Sequence, residues 1–346
     1  MTLLTLVANA EDDTFWGFED ARRPYQGMLW KRELPDFSEK AYSVEVEHLL
    51  SSFEKTTGKK LAPARHGKAA LKVYTNSGAG LCTPKAMVDG VIASLLRRGF
   101  SEDEICIIDA REDHLREAGY LPPLSRVGEE GSYYGNIRVY AMSTGELTSP
   151  TWFYESPLPR EYTSPLGREI LMPSIELDPV EARKSYLPKI LFGDVDFWIN
   201  LPVASHHPAT GLSGALVNAT LWNITNGIRF LNSPANAPVA VAEIAAIPEL
   251  SAGWALNLVS LENYQYIAGP AFNANYTDSL PEIWMSVDPV VMDANLMTHL
   301  NESRDRKGFR QLPEIPEFIL YAMQLGLGMG VPSETRVMEA SPGESR

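Results

Sequence analysis

The sequence predicts an α/β fold made of two Rossmann-like parallel-sheet halves, with a proline- and aromatic-rich insertion between them. Three observations carry this. Residues Ala69 to Ala110 spell out a strand, a glycine-bearing loop, a helix and a second strand. A similar alternation resumes at Asp194. Between them, prolines at 150, 157, 159, 165, 173, 179 and 188 rule out regular elements of any length.

Taken in order, residues 1–10 are apolar and end in Ala8-Asn9-Ala10, which resembles a small-residue cleavage site, but no basic leader precedes them. They read as an N-terminal strand or as a truncated export signal, which leaves cytoplasm and periplasm both open. Residues 11–40 mix Phe15, Trp16, Phe18, Trp30, Pro24 and Pro35 with charges and show no period, so an irregular arm is expected. Ser43 to Phe53 has the spacing of an amphipathic helix. Residues 1–64 are thus an N-terminal arm and helix.

The first α/β unit spans residues 65–142. Ala69 to Thr75 has strand composition and is broken by Asn76-Ser77-Gly78-Ala79-Gly80. Thr83 followed by Pro84 predicts a helix start, with a hydroxyl as cap and proline at the first position. Val88, Val91, Ile92, Leu95 and Leu96 recur at helical spacing; Arg97 and Arg98 suit the dipole end, and Gly99 the stop. Glu104 to Asp109 and Asn136 to Met142 are the following strands. Residues 143–193 form the connector or insertion.

The second unit spans residues 194–330. Val195 to Pro202 is a strand, Val203 to Thr210 a loop, and Gly211-Leu-Ser-Gly214 opens a helix ending near Asn226-Gly227. Pro238 to Ile247 is a short helix, and Trp254 to Leu261 and Glu282 to Val287 are strands. Asp288-Pro289 repeats the cap-and-proline device ahead of Val291, Ala294, Leu296, Met297 and Leu300. Residues 331–346 read as a disordered tail. No short fixed repeat is present, which excludes solenoids and propellers.

Bulk properties narrow the function classes. A chain of 346 residues favours two domains, or one with large excursions. Hydrophobic residues at 45% and charged residues at 21% suit a folded soluble protein. No run reaches the roughly 20 apolar residues of a membrane span, since Pro238 and Glu243 interrupt even residues 235–247. A net charge of −14 argues against nucleic acid as partner. Arg304-Asp-Arg-Lys307 reads as a solvated patch. Cys82 and Cys106 alone supply neither a disulfide framework nor an iron–sulfur cluster held by this chain by itself.

Four segments, in this order, resemble the family catalogued as domain of unknown function 362. They are Lys72 to Gly99; Ile105 to Asp109; Ile199-Asn-Leu-Pro202 with His206-His207 and Gly211 to Asn218; and Met285-Ser-Val-Asp-Pro-Val-Val-Met-Asp293. The resemblance extends over roughly residues 65 to 310. Many relatives add ferredoxin-like cysteine clusters, which this chain lacks. Relatives also often place a lysine and histidine before the glycines and a Lys-Asn pair after them, where this chain has Ser205 before His206 and Val217 before Asn218. The resemblance implies a fold more than an activity, because the family has no general biochemical assignment.

The candidate site residues follow from position. Asn76, Ser77, Gly78, Gly80 and Thr83 line a loop and helix start that can hold an anion, or that serve as a tight turn. The G-x-G-x-x-G dinucleotide pattern is incomplete, with threonine at 83 and Asp109 lying beyond the usual ~20 residues. His206 and His207 fall after a strand and before Gly211, Ser213 and Asn218, and suit proton transfer or ligation of a divalent metal. Neighbours in an extended segment point to opposite sides, so one of the two faces a given ligand. Asp109 and Arg111, with His114, read as a substrate clamp or a solvated loop. Asp288 reads first as a helix cap and second as a ligand contact, about 140° around the helix from Asp293. His48, His66 and His299 have no partner at metal spacing. The sequons at Asn218, Asn223, Asn275 and Asn301 matter only in a secretory pathway, and chance is the simpler origin.

The leading expectation is a small anionic molecule bound in a cleft between the two halves, with isomerase- or racemase-like chemistry dependent on a metal or on histidine. Enzyme status stays open. One alternative is a non-catalytic ligand-binding protein or complex partner in electron transfer or metal handling, as a homodimer or with a redox partner protein. The other is an NAD(P)-linked oxidoreductase.

Overall fold

The computed structural model describes residues 15–17, 21–124, 131–156, 180–231 and 235–339. The expected N-terminal strand or export signal, and the proline-rich residues 157–179, lie outside them. The strands are β1 (Met28–Glu33), β2 (Ala69–Val73), β3 (Ile105–Asp109), β4 (Tyr133–Tyr134), β5 (Ile137–Ala141), β6 (Phe153–Glu155), β7 (Lys184–Tyr186) and β8 (Phe197–Leu201). They continue with β9 (Ser205–His207), β10 (Gly211–Ser213), β11 (Trp254–Ser260), β12 (Tyr264–Gln265), β13 (Thr277–Asp278), β14 (Glu282–Ser286) and β15 (Arg336–Glu339). The helices are α1 (Glu39–Thr57), α2 (Lys85–Arg97), α3 (Glu112–Glu117), α4 (Ala215–Ala219), α5 (Ile228–Leu231), α6 (Ala237–Ala245), α7 (Pro248–Gly253), α8 (Pro289–Arg306) and α9 (Glu317–Gln324).

Among the described residues, nine strands form one sheet in the order β15-β1-β14-β11-β8-β2-β3-β5-β4. The run from β11 through β5 is parallel, whereas β4, β14 and β1 run against their inner neighbours. Along the chain the strands step outward from β2 to β3 and β5, then return to the other side of β2 as β8 and β11. The two units therefore meet edge to edge, in register from Ala69 opposite Phe197 to Val73 opposite Leu201. The strand order reverses between β2 and β8, and the carboxyl ends of the strands flanking such a reversal are where open α/β sheets bind ligands.

Strands β2, β3, β8 and β11 are buried at every position, as expected when helices cover both faces of a parallel sheet. Ala69, Leu71 and Val73 pack with Val46, Leu49 and Phe53 of α1 and Met87, Val91 and Leu95 of α2. Ala70, Ile108, Trp198 and Val259 face the other layer, with Leu216 of α4, Val241 of α6 and Leu296 of α8.

Several local expectations need correction. Helix α2 begins at Lys85 with Pro84 as an N-cap lacking a side-chain hydrogen bond, so Thr83 caps nothing. Its hydroxyl instead accepts from Tyr74 N at 2.8 Å and donates to Leu201 O at 2.5 Å, which ties β2 to β8. The helix expected to start at Gly211 is a hairpin strand followed by the short α4, which ends at Ala219. Asp293 explains the late start: its carboxylate accepts from Ala215 N at 2.5 Å and Leu216 N at 2.9 Å. A Cβ on Gly214 would lie 2.2 Å from Asp293 Oδ1, so this entry is open only to glycine. The arm contains β1, and the expected tail contains β15. Both short strands exist through pairing with partners remote in sequence, which local periodicity does not report. The cap at Asp288 is as expected, accepting from Val290 N and Val291 N.

Candidate functional site

Two segments leave the sheet at the reversal point: the turn Tyr74 to Thr83 after β2, and the β9–β10 hairpin after β8. The turn is closed over. The hydroxyls of Ser77 and Tyr74 are 2.6 Å apart, and Ser77 also donates to the Pro270 carbonyl. The ring of Phe272 lies so close to Gly80 that an added Cβ would meet it at 2.4 Å. The segment 266–276 thus roofs Ser77 and Gly80, and with the Thr83 hydroxyl committed, the loop serves as a packed turn. Asn76 and Gly78 stay half-buried at its rim.

The hairpin pairs His206 with Leu212 and His207 with Gly211, so the two imidazoles point to opposite faces. They do not converge on one ion. Among the described residues no group of three His, Cys, Asp or Glu side chains is placed to hold a metal. His207 is core: it is 2% exposed, its Nδ1 accepts from Ala209 N at 3.1 Å, and its ring centroid lies 6.0 Å from that of Trp222. Ser213 accepts from Trp222 Nε1 at 2.9 Å on the same side. Burial pushes the His207 imidazole down to about 4.

His206 is different. It is half-buried, and its Nδ1 is buried with no hydrogen-bond partner. Burial and the nearby Arg304 charge push its pKa down to about 4, so the ring is neutral at pH 7. Arg304 comes from the last turn of α8 and is 6% exposed. Its Nε donates to Arg310 O at 2.7 Å and its Nη1 to Tyr266 O at 2.9 Å. Gln265 pairs in parallel with Ser205 of β9, while the backbone of Tyr266 turns to Tyr276 on the other side.

Beneath this edge a buried row of polar side chains crosses the sheet. Lys72 Nζ donates to Val73 O at 2.6 Å, Asp109 Oδ1 at 2.7 Å and Asn218 Oδ1 at 3.0 Å, which uses all its hydrogens. Asn218 Nδ2 donates to Asn200 Oδ1 at 2.8 Å, and Asn200 Nδ2 to Asn257 Oδ1 at 2.8 Å. Lys72, Asn200 and Asn257 share one register line through neighbouring strands. Asp109 also accepts from Thr75 Oγ1 at 2.5 Å and from Ala110 N at 2.7 Å.

Asp109 is therefore not a substrate clamp with Arg111, which is exposed and bonds Asp113 at 3.0 Å. Asn218 is a member of the row, and with Asn223 it is buried, which closes both sequons to modification. Asp288 is fully buried and bonded to four backbone amides, so it is a structural anchor. Gly211 pairs with His207 in the hairpin. The sequence reading missed Lys72, Asn200, Asn257 and Arg304. For the first three a signal existed: each is a polar residue in the interior of a mostly apolar strand.

His299 is a third neutral imidazole, 8% exposed, with Nε2 buried and unpartnered and its ring centroid 4.5 Å from that of Tyr264. Burial, then the Arg306 and Lys31 charges, hold it down at about 4. Below pH 6.5 the unfolded chain takes up a proton that the folded chain refuses until about 4, so stability falls as pH drops through that window. Asp293, raised to about 7 by burial, works in the opposite direction and offsets part of the loss. Urea melts should show His299→Gln gaining on wild type by about 2–3 kcal/mol between pH 7 and pH 4.5. Parallel pH profiles would place the proton uptake elsewhere.

No family model matches the chain, and no curated protein matches it either. Among solved structures, a Thermotoga maritima protein determined by structural genomics is similar at a TM-score of 0.40 and 12% identity, over 80% of this chain. The chain spans 60% of that protein's length.

Proposed function

We propose that this α/β protein, similar to the family catalogued as domain of unknown function 362, binds a small anionic molecule at the carboxyl edge of its sheet and moves a proton on it through His206. The observation that carries this is the His206 imidazole. It sits on the hairpin leaving β8 at the strand-order reversal, held neutral, with a buried nitrogen that bonds to nothing. Buried polar atoms are ordinarily satisfied, and one left open beside a ligand-binding edge fits a group completed by the ligand. A neutral imidazole at pH 7 can accept a proton in turnover. A nicotinamide reading has less support, because Asp109, the acid in line for the ribose, is held by Lys72 and Thr75.

The test is native mass spectrometry of protein purified without denaturation, with elemental analysis to detect an accompanying divalent metal. Wild type and His207→Gln should retain an anionic small molecule, and His206→Gln should retain at least about tenfold less, the worth of one lost hydrogen bond to the ligand. If the retained molecule is a substrate, its turnover should fall by about 10²–10⁴ in His206→Gln. Equal retention in all three would remove His206 from the site, and a ligand retained but never converted would favour a non-catalytic binding protein.

A further inference from the structure

We propose that the segment Ala268 to Phe272 is a lid over the carboxyl edge of the sheet, closed in this structure, and that a small molecule enters the edge when the lid lifts. This rests on the reading of that edge as the binding edge and specifies how entry to it is controlled. The segment crosses both units of the fold. On the β8 side it lies flat on the hairpin: a Cβ on Gly269 would stand 1.9 Å from His206 O and 2.8 Å from Ser205 Oγ. On the β2 side it touches the turn at two points. Ser77, 7% exposed beneath it, donates to the Pro270 carbonyl, and the Phe272 ring fills the space that a Cβ on Gly80 would take.

Its attachment is that of a movable cover. The neck is pinned, since Tyr266 N donates to Tyr276 O at 3.1 Å and Tyr276 N to Asn273 O at 3.0 Å. Between these ends, among the described residues, 268–272 make no backbone–backbone hydrogen bond, so no ladder breaks when they move. Two hydrogen bonds hold the segment down, from Ser77 to Pro270 O and from Gln265 Nε2 to Ala271 O at 2.9 Å. Each is worth little net once water can replace it. The remaining hold is the Phe272 ring, which is 42% exposed, so its contact with Gly80 is one-sided and the ring has room to swing into solvent. Ala268, where the lid leaves its neck, has a φ of 62°, a left-handed conformation uncommon for a residue with a Cβ. A backbone change at that position relieves it. Loops pinned at the neck and lightly held at the tip are the usual covers of binding edges.

The experiment labels a thiol beneath the lid with iodoacetate, itself a small anionic molecule, so that labelling reports entry to the edge. Ser77→Cys in a Cys82→Ser background leaves two thiols, the new one under the lid and Cys106, buried in β3 as an internal measure of global unfolding. Peptide mass mapping should show position 77 labelled at least about tenfold faster than Cys106, with little dependence on urea below the unfolding transition, as for a local opening. Gly80→Ala is the wedge, because Gly80 has no left-handed φ to strain and its new Cβ would push the Phe272 ring outward. It should speed labelling at position 77 by about tenfold, the worth of a half-buried aromatic contact, and leave Cys106 unchanged. Phe272→Ala should act the same way, and adding Gly80→Ala to it should change nothing further. Equal rates and urea slopes at the two thiols, or no acceleration by Gly80→Ala, overturn the proposal. His206→Gln should label at the parent rate, so a failure of the His206 reading in the retention test leaves the lid standing, and the reverse holds too. Should Ser77→Cys fail to fold, thermolysin cleavage of wild type within 268–272 takes its place: cleavage below the urea transition that Gly80→Ala accelerates supports the lid, and cleavage only with global unfolding ends it.

Discussion

Replacing Lys72 with methionine is expected to destabilise the fold by about 3–5 kcal/mol, the range for removing one partner of a buried ion pair. The ammonium is fully buried and its three hydrogens are all used. Burial lowers its pKa, and the Asp109 carboxylate beside it offsets part of that. Without the ammonium, Asp109 keeps Thr75 and Ala110 but sits as an uncompensated anion at 4% exposure, and Asn218 loses its link to β2. Removing both charges should cost less than the sum: Lys72→Met combined with Asp109→Asn is expected to recover about 2 kcal/mol. Denaturant melts of the two single variants and the double variant measure this. A loss under about 1 kcal/mol in Lys72→Met would mean that the row does not hold the strands together.

The second large effect is at Asp288. Its Oδ1 accepts from Val290 N at 2.8 Å and Val291 N at 3.0 Å, and its Oδ2 from Gly27 N at 2.9 Å and Met329 N at 2.9 Å. One carboxylate thus starts α8 and fastens the segments that lead into β1 and into the edge strand β15. Burial pushes its pKa up while the amides pull it back. Each buried donor left open costs about 1–3 kcal/mol, and water entering the gap relieves part of it, so Asp288→Ala should lose about 4 kcal/mol or more. Asp288→Asn keeps one acceptor oxygen and should fall between. Hydrogen exchange should show amides of 27–33 and 329–339 losing protection first in the alanine variant. Uniform loss across the sheet would argue that the carboxylate anchors no particular edge.

The fold was legible where local chemistry and tertiary role agree. The strands β2, β3, β8, β11 and β14 announce themselves as short apolar runs, and the Asp288-Pro289 start is a cap in both sequence and structure. The threonine-proline pair looked the same and behaved otherwise, because the Thr83 hydroxyl finds a better acceptor on the neighbouring strand, a contact 118 residues away in sequence. Strands β1 and β15 depend on partners that no window contains. At the site, the histidine doublet and its division between two faces followed from alternation alone. Arg304 did not, since burial of one cation inside a charged run is decided by how the end of α8 meets the 266–276 segment. The polar row was written in the strands as polar interruptions, and becomes meaningful once β2, β8 and β11 are seen to be adjacent.

The most direct measurement is a crystal structure of the protein isolated with its natural small molecule still bound. Density for an anionic ligand at the carboxyl ends of β2 and β8, touching the Nδ1 of His206, is the expected result. A ligand seated at the opposite edge of the sheet, or on the β6–β7 hairpin with His206 still unpartnered, would contradict it.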